Sequence, residues 1–251
     1  MRAGGHVSGV SSRDVRRPPE PLILAAPRHV AAITAILAVL TAAAFAVVGD
    51  RGVLSHIQSL DDSWLRLMIS GRTAVATSVA KAFNVAGLVY VTLPVRIAIA
   101  GYLAFRRQWW HLAAFAGAMV LSEILIGPLK AVYDRPRPPG SLVATTGASF
   151  PSGHSIATSV TVLAAVIALV PPGRRRISWG LAAGFFALLM AVSRAYLAAH
   201  WLSDAVAGLL LGTTCALVAA TAVDQAQRRW RARHAIGAAP SPEPVRPGDR
   251  R

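Results

Sequence analysis

Residues 193–204 read Ser-Arg-Ala-Tyr-Leu-Ala-Ala-His-Trp-Leu-Ser-Asp, a polar cluster within an otherwise apolar part of the chain. His200 and Asp204 are four positions apart, so a helix through both would place them on one face within contact range. A carboxylate beside an imidazole orients the ring and stabilises its charged form. Arg194 adds a permanent planar cation, the usual partner of phosphate or carboxylate. The pattern indicates either a catalytic pair or a structural His–Asp bond beside a snorkelling arginine.

Composition places this cluster in a membrane protein. The chain has 251 residues, 54% of them hydrophobic, which predicts an all-α polytopic bundle of about six membrane-spanning helices. Ionisable groups at membrane depth are costly, so they favour the functional interpretation. The net charge of +15 is compatible with nucleic acid, but the arginines lie mainly in the tails and between apolar runs. We therefore expect a lipid bilayer and no nucleic acid as partner, and the single Cys215 excludes a disulfide within a monomer.

The apolar runs divide the chain into three parts. Residues 1–28 are predicted to be a disordered cytoplasmic tail, residues 29–224 a membrane domain, and residues 225–251 a basic, disordered cytoplasmic tail. Residues 53–85 mix charged and apolar side chains, which predicts one or two amphipathic helices on the outer surface between the first two spans. The six predicted spans cover about residues 30–48, 86–105, 110–129, 155–170, 177–192 and 201–223.

Two pairs of residues within the spans predict how the helices pack. Arg96 and Glu123 would lie at similar depths in antiparallel helices, so we expect them to pair inside the bundle. The alternative is that Arg96 lines a cavity for a lipid headgroup. Gly208 and Gly212 are spaced for the close approach of another helix.

The distribution of basic residues orients the bundle. Excess positive charge marks cytoplasmic loops, and the loops so assigned contain Arg106, Arg107, Arg174–Arg176 and Arg228–Arg231. Both termini are then cytoplasmic, and residues 130–154 and 193–200 face outward together in an integral cell membrane protein. Four basic residues of these outer segments contradict the rule and need another role: Lys130, Arg135, Arg137 and Arg194.

The outer polar groups suit phosphoryl transfer. A Ser-Gly turn at residues 151–154 opens a helix whose free N–H groups attract an anion. His200, oriented by Asp204, is the predicted nucleophile, and His154 is the predicted general acid and later the base. The predicted phosphate-binding residues are Lys130, Arg137, Ser152, Gly153 and Arg194. We expect no metal or other cofactor, because the cations would replace a metal ion and no cluster of ligands indicates one.

These segments resemble the signature of the type 2 phosphatidic acid phosphatase family, membrane lipid phosphatases related to vanadium haloperoxidases. The signature reads Lys-x6-Arg-Pro, Pro-Ser-Gly-His and Ser-Arg-x5-His-x3-Asp. It stands here as Lys130…Arg137-Pro138, Pro151-Ser152-Gly153-His154 and Ser193-Arg194…His200…Asp204. The motifs span residues 130–204, and the six-span layout extends the similarity to about residues 28–224. The resemblance implies a metal-independent phosphatase with a phosphohistidine at His200, assisted by Asp204, and with His154 as the acid.

An outward site at the bilayer surface favours a lipid phosphate whose tail stays in the membrane. Phosphatidic acid, phosphatidylglycerol phosphate and polyprenyl diphosphates such as undecaprenyl diphosphate all fit. The Arg- and Ala-rich composition points to a bacterium, where recycling of a polyprenyl diphosphate suits an outward site, and we favour that class. Three alternatives stay open: a phosphate- or phospholipid-binding transporter without hydrolysis, a haloperoxidase that holds vanadate, and a lipid-binding relative that no longer turns over.

Overall fold

The protein folds as a bundle of helices. The structure is a computed structural model, and it describes residues 20–236. Its helices, in chain order, are α1 (Pro27–Gly49), α2 (Arg51–Ser70), α3 (Ala74–Ala86), α4 (Val89–Phe105), α5 (Trp109–Tyr133), α6 (Gly153–Leu169), α7 (Arg174–Tyr196) and α8 (Leu202–Ile236). The described residues contain no strand, so the predicted all-α class is confirmed.

Several of these helices can cross a bilayer. On their own, α1, α5, α7 and α8 are long and apolar enough to do so, and α3 with α4 form a further candidate span bent by 52°. The bend follows from the junction, where Gly87 ends α3 and Leu88 is extended at φ −68° and ψ 150°. The apolar α6, with 17 residues, is shorter than these, so the described residues contain four or five candidate spans and the predicted number of six stays a prediction. The chain is thus a polytopic membrane protein.

The apolar helix α6 lies at the centre of the bundle against α8. The two backbones approach closely at two glycines of α8, as their spacing predicts. A Cβ atom on Gly208 would lie 2.6 Å from the carbonyl oxygen of Ser152, and one on Gly212 would lie 2.5 Å from that of Ile156. No larger residue fits at either position without movement of the α6 backbone.

The predicted pair of Arg96 and Glu123 is confirmed, but it does not lie inside the bundle, because the side chain of Glu123 is 58% exposed. Nη1 of Arg96 donates to Oε1 of Glu123 at 2.8 Å. Its Nε donates to Oγ1 of Thr161 at 2.9 Å, and its Nη2 donates to the carbonyl oxygen of Ala157 at 3.2 Å. Arg96 therefore ties α4 to α5 and α6, and together with Glu123 it also lines a largely apolar cavity between α4 and α5.

The predicted boundary of the N-terminal tail at residue 28 is too late. Glu20 caps the start of α5, accepting backbone N–H bonds from Trp110 at 3.1 Å and His111 at 3.2 Å. Leu24 donates its backbone N–H to Oδ1 of Asp224 at 2.9 Å, and Ile23 is fully buried. This segment is anchored because the first N–H groups of a helix need acceptors. Residues 1–19 lie outside the described part of the chain.

The membrane domain also ends later than predicted at its other end. Helix α8 continues to Ile236, twelve residues beyond the predicted boundary at residue 224. Arg228 donates to Asp224 across one helical turn at 2.7 Å, and Gln227 is buried beneath the N-terminal segment. These contacts extend the helix past the apolar run, and the rest of the predicted tail lies outside the described residues.

Candidate active site

The polar segments that the motifs mark converge at one end of the bundle. The loop after α5 reaches the loop between α7 and α8, where Nη1 of Arg137 donates to the carbonyl oxygen of Ala199 at 2.7 Å. The start of α6 reaches the start of α8, where Ser152 donates its N–H to the carbonyl oxygen of Asp204 at 3.1 Å. The prediction that residues 130–154 and 193–200 meet is therefore confirmed, and that they face outward stays a prediction.

The geometry around His200 defines which ring nitrogen is reactive. Nδ1 lies 2.7 Å from the carbonyl oxygen of Ser149. Because a carbonyl can only accept, Nδ1 carries the proton and Nε2 keeps its lone pair. Nη1 of Arg137 lies 3.3 Å from Nε2 and is placed to donate to it. Burial lowers the pKa of His200 to about 4, so the ring is neutral at physiological pH.

His200 and Asp204 are in contact as predicted, but they do not share a helix. His200 lies in the loop before α8, and Asp204 lies in the first turn of that helix. Their closest side-chain atoms, Nδ1 and Oδ2, are 3.8 Å apart, too far for a hydrogen bond. Oδ2 instead caps α8, accepting from the N–H of Trp201 at 2.9 Å and from the hydroxyl of Ser149 at 2.5 Å. Asp204 therefore acts on His200 through its charge.

Two of the predicted phosphate-binding cations are held by backbone carbonyls. Arg137 donates to the carbonyl oxygens of Thr146 at 2.7 Å and Gly147 at 2.9 Å. Lys130 donates to the carbonyl oxygen of Ala148 at 2.7 Å. Neither forms an ion pair with a carboxylate among the described residues. Both cations are oriented without being neutralised, which suits the binding of an anion.

The opposite side of the site contains polar atoms that lack partners. Within the described residues, Nε of Arg194 and Nε2 of His154 are buried without a hydrogen-bond partner. Arg194 is 2% exposed, and its Nη1 donates to Oδ1 of Asn84. A buried donor without an acceptor is costly, so a ligand with several acceptor oxygens fits here.

The start of α6 provides the remaining predicted contacts. Ser152 is fully buried at the N-cap of α6, and its hydroxyl accepts a bond from Oγ of Ser155 at 3.0 Å. A Cβ atom on Gly153 would contact nothing within 4 Å, so the space beside this helix end is open. The free N–H groups and the positive end of the helix dipole favour an anion in that space.

Sequence reasoning missed four residues around the site: Asp61, Asn84, Gly87 and Arg135. Arg135 had one signal, its conflict with the positive-inside rule, and its guanidinium bridges Asp204 and Asp61. Asp61 occupies the helical spacing of apolar Ile57 and Trp64, which is a weak signal of burial. Asn84 and Gly87 lie at the end of α3, and no local pattern points to them.

Gly87 limits the space available to the predicted acid. A Cβ atom at this position would lie 2.5 Å from Cδ2 of His154 and 2.9 Å from Cε of Met190. We expect Gly87→Ala to lower kcat about 10- to 100-fold, because the imidazole must shift while the backbone, at φ −86°, accepts alanine. Phosphate release and thermal unfolding in detergent would measure both effects. Gly101→Ala is the control, since its Cβ would contact nothing within 4 Å; equal activity of the two variants would contradict the prediction.

The chain was compared with known families and structures. The family model of the PAP2 superfamily matches residues 111–228. A PAP2-type phosphatidylglycerolphosphate phosphatase from Bacillus subtilis has a similar fold, with a TM-score of 0.59, 23% identity, and coverage of 78% of this chain and 94% of that one. LpxE from Aquifex aeolicus is also similar, with a TM-score of 0.53, 22% identity, and coverage of 64% and 94%. No curated protein sequence is significantly similar to the chain.

The matched region contains nearly the whole site. Residues 111–228 include both histidines, the N-terminus of α6 and all the cations described above. The two solved structures show that an all-helical membrane fold of this kind spans most of the chain. The match over residues 111–228, with the three motifs in order and their residues converging at one end of the bundle, supports a membrane protein of the PAP2 superfamily.

Proposed function

We propose that the chain is a membrane lipid phosphatase that transfers a phosphoryl group from a lipid headgroup to Nε2 of His200 and then to water. The match to the PAP2 superfamily supports a phosphoric ester hydrolase. The observation that carries the mechanism is the neutral His200, whose unprotonated Nε2 lies 3.3 Å from the guanidinium of Arg137. Two further unpartnered polar atoms, on Arg194 and His154, support an anion beside that nitrogen.

In the first step, the lone pair of Nε2 attacks phosphorus as the bond to the leaving oxygen breaks. Protonated His154 donates its proton to that oxygen and becomes neutral. A phosphomonoester then releases a neutral alcohol, and a diphosphate releases the lipid monophosphate with one negative charge fewer. Lys130, Arg137 and Arg194 stabilise the charge on the equatorial oxygens of the transition state, with Ser152 and the N–H of Gly153.

The imidazole ring of phosphorylated His200 carries a positive charge, because Nδ1 keeps its proton. The carbonyl oxygen of Ser149 at 2.7 Å and the carboxylate of Asp204 at 3.8 Å stabilise that charge. In the second step, His154 accepts a proton from water, the water oxygen attacks phosphorus, and the P–N bond breaks. Inorganic phosphate and neutral His200 are the products, and no step requires a metal ion.

The substrate that we propose is a lipid phosphate, with a polyprenyl diphosphate favoured over phosphatidic acid and phosphatidylglycerol phosphate. The site adjoins membrane-spanning helices, so a lipid can keep its tail in the bilayer while its headgroup reaches His200. The arginines at the opposite end of the bundle support cytoplasmic termini and an outward-facing site. These basic groups include Arg106, Arg107 and Arg174–Arg176.

The test is phosphate release by the purified protein in detergent with EDTA present. Polyprenyl diphosphate, phosphatidic acid and phosphatidylglycerol phosphate are compared at equal surface concentration. We expect EDTA-resistant release from at least one lipid, with the diphosphate giving the highest kcat/KM. A folded protein that releases no phosphate, or that loses activity with EDTA, would contradict the proposal. Phosphate uptake into proteoliposomes without hydrolysis would indicate the transporter instead.

A further inference from the structure

A buried charge network joins the amphipathic helix α2 to the start of α8. Asp61 of α2 is 2% exposed, Arg135 of the loop after α5 is 5% exposed, and Asp204 is fully buried. Ionised groups are rarely buried this completely unless they are paired with opposite charge. None of the phosphate-binding roles described above uses Asp61 or Arg135.

The guanidinium of Arg135 bridges two carboxylates with its two terminal nitrogens. Nη1 donates to Oδ1 of Asp204 at 2.6 Å, and Nη2 donates to Oδ2 of Asp61 at 2.7 Å. Gln58 and Ser203 complete the bridge, accepting from Nη2 at 2.8 Å and from Nη1 at 2.7 Å. The planar fork of arginine suits this double contact, which a lysine ammonium would not reproduce.

Asp61 also holds the first turn of α8 directly. Its Oδ1 accepts the N–H of Ser203 at 2.9 Å, and its Oδ2 accepts the hydroxyl of Ser203 at 2.5 Å. The adjacent Asp204 uses Oδ1 for Arg135 and leaves Oδ2 toward His200, at 3.8 Å. Asp61 and Arg135 together therefore fix which oxygen of Asp204 faces the imidazole.

We infer that Asp61 and Arg135 are positioning residues of the phosphatase reaction, which act on His200 through Asp204. The inference rests on the proposed function of His200. When both carboxylates are ionised, the positive charge of Arg135 is shared between Asp61 and Asp204. The negative charge of Asp204 is then only partly balanced, and the remainder stabilises the phosphorylated imidazolium of His200. When Asp61 is neutral, Arg135 is balanced by Asp204 alone, so less of that charge stabilises His200.

This role predicts a change in kcat rather than in substrate binding. Asp61 and Arg135 have no contact with the proposed phosphate-binding atoms, whereas Asp204 faces the group that becomes charged during the reaction. We expect Asp61→Asn to lower kcat about 10- to 100-fold and to leave KM and the inhibition constant of inorganic phosphate within about 3-fold. A purely structural clamp would instead lower the yield and the unfolding temperature, without a specific loss of kcat.

The matched control is Asp50→Asn at the N-cap of the same helix. The side chain of Asp50 accepts the N–H groups of Gly52 at 2.8 Å and Val53 at 3.1 Å, and an asparagine oxygen can accept the same bonds. We expect this variant to keep the kcat of the parent protein, because among the described residues this side chain has no hydrogen bond to Gln58 or Arg135. Equal kcat values for Asp61→Asn and Asp50→Asn would overturn the inference.

The deciding experiment is a double-mutant cycle between Asp61→Asn and Asp204→Asn, with single-turnover phosphate release as the measurement. If Asp61 acts through Asp204, the double variant should be no slower than Asp204→Asn alone. If the fold-losses in rate of the two single variants multiply in the double variant, the inference is overturned. Should Asp61→Asn fail to fold, Arg135→Lys replaces it in the same cycle. An inactive parent protein would count against the proposed function itself, whereas an active parent with additive effects would count only against this coupling.

Discussion

His200→Ala is expected to lower kcat at least ~10⁴-fold, because it removes the atom to which the phosphoryl group is transferred. In the parent protein, rapid mixing with radiolabelled substrate followed by alkaline quenching should trap labelled protein. The label should be stable in base and labile in acid, as a phosphorus–nitrogen bond is. The variant should carry no label. Its fold should persist, since the ring of His200 has one strong partner, the carbonyl oxygen of Ser149.

The matched control for this substitution is His56→Ala. His56 lies exposed on α2, with only contacts to its own helix, so its loss should change neither kcat nor labelling. Label that survives in His200→Ala would place the covalent step on another residue and contradict the mechanism. Full activity without any trapped label in the parent would favour direct attack by water over a phosphohistidine.

Much of the site could be predicted because its residues occur in short segments with fixed internal spacing. Ser152 and His154 belong to one helix start, so the sequence defines their relation without knowledge of the fold. The apolar runs also predict the helices, since a bilayer requires each span to satisfy its own backbone. The pairing of Arg96 with Glu123 could be predicted for the same reason, as each intramembrane charge needs a partner.

The rest depends on contacts between segments far apart in the chain. The i, i+4 spacing of His200 and Asp204 suggests a shared helix, but Asp204 lies in the first turn of α8 and His200 precedes that helix. The role of Asp61 arises from its contact with Arg135, which lies 74 positions later. Such contacts follow from how helices pack, and the local pattern of α2 shows only an acid on a half-buried face.

The site also depends on the close approach of α6 and α8, which residues outside the site make possible. The start of α6 carries Ser152, Gly153 and His154, and α8 carries Asp204. The distance between these two helices therefore sets the size of the proposed phosphate-binding site, which is called the phosphate cradle below. Gly208 and Gly212 set that distance, as the carbonyl oxygens of α6 lie where their side chains would be. Binding geometry and helix packing are thus coupled at one interface.

Gly212→Val is accordingly expected to lower the free energy of unfolding by about 3 kcal/mol and to abolish most activity. The added Cβ would lie 2.5 Å from the carbonyl oxygen and 3.1 Å from the Cα of Ile156, which are backbone atoms that cannot rotate away. The helices must separate, and the displaced α6 carries Ser152 and His154 with it. Unfolding by SDS in mixed micelles measures the free energy of unfolding. The rate of phosphate release measures whether the phosphate cradle is still intact.

Gly184→Val in α7 separates this effect from the helix propensity of valine, because a Cβ atom at Gly184 would contact nothing within 4 Å. We expect that variant to unfold within about 1 kcal/mol of the parent protein and to stay active. If Gly212→Val were as stable and active as Gly184→Val, α6 and α8 could not be as close as described. The cradle would then have to be held by the loop contacts of Arg137 and His200 alone, since the helix interface would no longer fix the position of His154.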